Sequence, residues 1–80
     1  MNISKCRSFS DVIKRIKLHE NLNQTELANR IGVTRTTISM IETGSRLPSS
    51  NIIDKISRRF NIEKDDLIDV YNDSIEEEVA

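Results

Sequence analysis

At 80 residues, with 36% hydrophobic residues, two glycines and one proline, the chain has room for one small helical core and none for a catalytic cleft between domains. Its net charge of −1 hides two poles: residues 1–62 carry 11 Lys/Arg against 5 Asp/Glu, a net +6, and residues 63–80 carry 1 against 8, a net −7. The lone cysteine excludes an internal disulfide, no apolar run reaches the length of a signal or membrane segment, and three aromatics are too few for the stacking platform of a single-strand binder.

The cytoplasm is therefore the expected compartment. His19 has no second histidine or Cys/Asp cluster near it, so no metal and no cofactor is expected. Without a nucleophile–base pair or a phosphate-cradling glycine loop, an enzyme is not expected either.

Residues 1 to 7 show no period and read as a loose arm, with Cys6 as a passive thiol near a fraying end. A first helix then starts at Ser8, whose cap is strengthened by Asp11 three residues on. Phe9, Val12, Ile13 and Ile16 form its apolar stripe, Lys14, Arg15 and Lys17 share the polar side, and Asn21 suits the left-handed exit.

The next stretch, LNQTELANRIGVTRTTISMIETG over residues 22–44, spells two short helices around a turn. Asn23 caps the first and Glu26 closes a capping box, with Leu27, Ala28 and Ile31 on one face. Gly32 ends that helix in the left-handed conformation, and Val33 plugs the corner. Thr34 caps the second helix, which points Ile38 and Ile41 inward and leaves Arg35, Thr36, Ser39, Met40 and Thr43 on or beside the outer face. That face is short in side chain, rich in hydroxyls and headed by an arginine. Such a surface suits contact with something polar.

After Gly44 the loop Ser45-Arg46-Leu47-Pro48 cannot continue the helix, and Ser49 or Ser50 can cap a fourth one with Ile53, Ile56 and Phe60 inside and Asn61 at its end. Ile62 to Asp69 should hold a fifth short helix that docks Leu67 and Ile68, although Glu63 is a poor cap. The chain thus divides into a globular part, residues 1–69, and an acidic tail, residues 70–80. Val70, Tyr71, Ile75 and Val79 recur at roughly helical intervals, which permits a helical extension as readily as a fraying tail.

Gln24 to Ala28, the Gly32-Val33-Thr34 corner, and Ile38-Ser39 to Ile41-Glu42 with Gly44 resemble the helix-turn-helix of the Cro and phage-repressor family, and the similarity runs without gaps from about Phe9 to Leu67. The resemblance implies an all-α, five-helix, lambda-repressor-like DNA-binding domain whose helices 2 and 3 form the helix-turn-helix. It lays helix 3 in the major groove of double-stranded DNA. Base readout then falls to Arg35, Thr36, Ser39 and Met40, since arginine can bond guanine O6 and N7 together while threonine and methionine can meet a thymine methyl.

Phosphate contacts fall to Gln24 at a helix N-terminus, to Thr37 on the flank, and to Thr43, Ser45 and Arg46 across the groove. Thr37 can equally bond the preceding turn, and Met40 can alternatively serve the core. The resemblance also pairs Lys17 with Glu42 as a structural ion pair, with lysine in place of the arginine usual there. It places Ser50 where a leucine is usual and Ile52 where a polar residue is usual, which points to a shifted local packing there or to an apolar contact offered to a second subunit.

The implied function is transcriptional regulation by a homodimeric repressor, because one recognition helix reads only a few base pairs and a doubled half-site adds specificity. Ile52, Val70 and Tyr71 are the candidate dimer surface. The alternative is an antitoxin-like or adaptor protein whose acidic tail binds a protein partner, with DNA binding secondary. The basic pole fits a nucleic-acid surface, and it fits ordinary solvated helix faces as well.

Overall fold

The computed structural model describes Ile3 and residues 5–79, the side chains of residues 74–79 excepted, and its regular elements are five helices. They are α1 (Phe9–Glu20), α2 (Gln24–Ile31), α3 (Arg35–Glu42), α4 (Ser50–Phe60) and α5 (Lys64–Val79). The expected all-α, five-helix class is present, with α2 and α3 packed on each other as a helix-turn-helix.

Local chemistry sets the helix ends. Asn23 accepts from the Glu26 amide at 2.8 Å while Glu26 accepts from the Asn23 amide at 3.0 Å, so α2 starts in a complete capping box. At α1 the reciprocal bond is displaced: Ser8 accepts from the Asp11 amide at 3.4 Å, but Asp11 takes the Arg7 amide at 3.2 Å. Ser49, not Ser50, caps α4, and Thr34 caps α3. Asn21, Gly32 and Asn61 all exit their helices in the left-handed conformation, with φ of 55°, 72° and 53°. At the start of α5 the Asp66 and Leu67 amides both donate to the Glu63 carbonyl, at 3.1 and 3.3 Å.

One core joins all five helices. Its fully buried members include Phe9, Val12, Ile13 and Ile16 from α1, Leu27 from α2, Ile38 and Ile41 from α3, Ile56 from α4 and Leu67 from α5. Three expectations are corrected here. The arm is not loose at Ile3 and Cys6, which are 2% and 8% exposed: a turn with the Cys6 amide on the Ile3 carbonyl folds both onto the core. Ile52 and Val70, each 5% exposed, belong to that core and offer no free apolar surface for a dimer; of the two readings of Ile52, the shifted local packing is the one its burial fits. Ile68 does not dock; it is 38% exposed while Leu67 beside it takes the inward position.

Of the expected tail, Val70 and Tyr71 pack on or against the core, and the α5 backbone crosses residue 70 without a break. The side chains of Ile75 and Val79 lie outside the described residues. No described helix is long and apolar enough to cross a membrane.

Candidate nucleic-acid interface

Because Ile38 and Ile41 are anchored in the core, the rest of α3 is oriented without freedom to roll. Arg35 and Thr36 stand exposed on its first turn, Met40 is 38% exposed and Ser39 is half-buried beside them. Met40 therefore does not serve the core. Gln24, Lys17 and Arg35 line one shallow surface cavity of about 380 Å³ together with Asn23 and Thr25, which brings the N-terminal ends of α2 and α3 to one place.

On the opposite flank Thr43, Ser45 and Arg46 are exposed. Thr43 Oγ1 donates to the Met40 carbonyl at 3.2 Å and lies 3.1 Å from Ser45 Oγ, so the two hydroxyls are held together just past the end of α3. The Arg46 amide donates to the Met40 carbonyl at 3.2 Å, which ties down the backbone of the arginine while its side chain faces solvent. Thr37 is half-buried, with its hydroxyl 2.9 Å from that of Thr34, so its side chain already has a partner in the cap.

Glu42 is where three helices meet. Lys17 Nζ of α1 lies 2.7 Å from Glu42 Oε1 and 2.8 Å from Oε2, and Gln24 Nε2 of α2 donates to Oε1 at 3.2 Å. The Ser10 hydroxyl of α1 donates to the Glu42 main-chain carbonyl. Ser10 was absent from the expected set, because its role arises from the crossing of α1 and α3 and leaves no mark on either helix pattern. Gln24 is thus partly committed to the protein, though its amide carries a second N–H for an anion.

Burial pushes the Glu42 carboxyl up, but the hydrogen bonds from Lys17 and Gln24, and the charges of Lys17 and Lys14, hold it below its ordinary value of 4.5. A depressed folded value means that the ionised form stabilises the fold: the contribution is complete above the ordinary value and is lost as pH falls through the folded one. Glu42→Gln should therefore lower the urea midpoint at neutral pH, and the gap to the unaltered protein should close as the pH falls below the ordinary value of 4.5 and on through the depressed folded one. A gap that stays constant from neutral to acid pH would mean that the charge of Glu42 contributes nothing.

Residues 13–67 match the family model described as helix-turn-helix. An uncharacterized helix-turn-helix transcriptional regulator of Archaeoglobus fulgidus is 42% identical over 55 residues, which is 69% of this chain and 78% of that protein. The cryptic phage CTXphi transcriptional repressor RstR of Vibrio cholerae is 28% identical over 71 residues, 89% of this chain and 64% of the repressor. The helix-turn-helix transcriptional activator BcrR of Enterococcus faecalis is 32% identical over 60 residues, 75% of this chain and 29% of the activator. No solved structure matches the chain.

Proposed function

Because the chain belongs to the helix-turn-helix family of DNA-binding transcriptional regulators, we propose that it acts as a homodimeric repressor on an inverted-repeat operator in double-stranded DNA. The observation that carries this reading is the outward row Arg35, Thr36, Ser39 and Met40 on α3, flanked by Gln24 on one side and by Thr43, Ser45 and Arg46 on the other. The row reads base edges in the major groove and the flanks hold phosphates, which position the protein without reading sequence. Thr37 supports the α3 cap first and reaches a phosphate only if it leaves Thr34.

Repression requires only that the operator be occupied, and it agrees with the phage repressor among the relatives. The activator among them makes the sign of regulation a matter for experiment. A reporter driven by the promoter upstream of the protein's own gene should fall when the protein is supplied. A rise would overturn repression and leave DNA binding standing.

Dimerisation is supported by the small core and by α5, where Ile68 is 38% exposed and Tyr71, one turn on, is half-buried. Sedimentation at concentrations on the order of tens of micromolar should give a dimer. A strictly monomeric species there would remove the homodimer.

Binding should also weaken steeply with salt despite the net charge of −1, since the contacts gather on the basic pole. Each neutralised phosphate contributes roughly −0.9 to the slope of log affinity against log salt. A flat dependence would count against docking in the groove.

A further inference from the structure

A second basic surface lies away from this row. Arg30 at the end of α2 and Lys55, Arg58 and Arg59 on α4 line an open groove of about 480 Å³ together with Asn29, Ile31 and Gly32. No carboxylate among the described residues lines it. Its wall is built, since Arg59 Nε donates to the Arg30 carbonyl at 2.8 Å and bridges the two helices. Arg58 Nε lies 3.2 Å from Asp54, which Lys64 shares at 3.7 Å.

Cations in the last turn of a helix commonly answer the partial negative charge of its end. Here two helix ends supply roughly half a charge each. Asp54 adds one more carboxylate, against four full positive charges in the groove. A positive excess remains for an external anion.

We infer that the groove receives the acidic C-terminal segment of a second copy of this chain, residues 73–78 with Asp73, Glu76, Glu77 and Glu78. The inference rests on the homodimer reading above and assigns it a surface. Complementarity is the first argument: the pole of net −7 is in the same chain as the groove. The second is position. Gln24 and Arg46 stand at or before the N-terminal ends of α2 and α4, whereas the groove runs from Lys55 in the middle of α4 to the C-terminal ends of both helices, so a duplex seated on α3 does not run along it.

The third argument is reach. In its own chain α5 starts beside the groove, a few residues past Arg59, and runs as one helix to Val79. Thirteen residues of helix carry Glu77 about 20 Å from Lys64. A chain therefore cannot fill its own groove. Two copies related by a twofold axis can fill each other's, each tail in the partner's groove.

Charge exchange tests this with the full chain. Lys55→Glu with Arg58→Glu, and separately Glu76→Lys with Glu77→Lys and Glu78→Lys, should each weaken self-association on the order of tenfold. Both variants should keep the helical circular dichroism of the unaltered protein. An equimolar mixture of the two should associate again, because one interface regains the native pairing and the other its mirror image. Variants that dimerise like the unaltered protein would overturn the inference and leave a dimer through another face. Failure of the mixture to associate would overturn it too, and a monomeric unaltered protein would overturn it together with the dimer itself. On a duplex holding a single half-site, the groove variant should keep the salt slope of the unaltered protein. A slope smaller by about two contacts would identify DNA as the occupant and reject the acidic segment.

Discussion

Ile38→Ala should destabilise the domain by about 2–5 kcal/mol, the usual loss when a fully buried isoleucine is cut back and its site cannot collapse. Ile38 is 0% exposed and is one of only two buried residues on α3, the other being Ile41. A helix of eight residues has no independent stability in water, so α3 exists because these two side chains hold it on α1 and α2. Domains of this size have stabilities of roughly 5–15 kcal/mol, so the loss is a large share of the whole. The melting temperature should fall by about 4–8 °C for each kcal/mol lost.

Met40→Ala, three-eighths exposed on the same helix, provides the comparison. It should leave the melting temperature nearly unchanged and act only on DNA binding. Thermal denaturation followed by circular dichroism separates the two; an Ile38→Ala loss below about 1 kcal/mol would mean that α3 is held by its polar ties at Glu42 and not by its apolar face.

What could be read from the sequence follows the range of the forces involved. Asn23 with Glu26, Thr34, Gly32 and Asn61 act within one turn of backbone, and the structure places a cap at each. The outward row of α3 was legible for the same reason, since it needs only the period of one helix and the two isoleucines that fix its rotation. Ile3 and Cys6 gave no signal because a single turn has no period. Ile68 has Leu67 beside it, and only the packing of α5 on α4 and α1 decides which of that pair faces in; on α4 both Ile52 and Ile53 are buried, so its inward face is wider than the single stripe the period suggests.

Contacts that depend on how helices cross were out of reach altogether. Ser10 meets Glu42 across 32 residues, and Arg59 meets Arg30 across 29. Nothing in the helix patterns of α1 or α4 distinguishes these side chains from solvated neighbours. The basic groove between α2 and α4 was invisible on the same ground, although its four cations were in plain view as residues.

Arg35→Ala should cost roughly 1–3 kcal/mol on the specific operator while leaving non-specific binding only slightly weaker. Arg35 is the first residue of α3, immediately after the Thr34 cap, and it is exposed. It alone in the outward row can give two hydrogen bonds to one guanine. Its position admits a rival outcome. The cavity it shares with Lys17 and Gln24 lies at the N-terminus of α2, where a phosphate is attracted by unpaired amides, and a guanidinium at that rim can meet the backbone instead. The two roles differ in kind. A base-reading arginine, once removed, relaxes preference at one symmetric pair of operator positions, whereas a phosphate-binding one weakens every sequence about equally and reduces the salt slope by about one contact. Titrating the unaltered protein and Arg35→Ala against the operator, a panel of single-base variants and random DNA decides between them, and an equal loss on all three would remove Arg35 from the readout row.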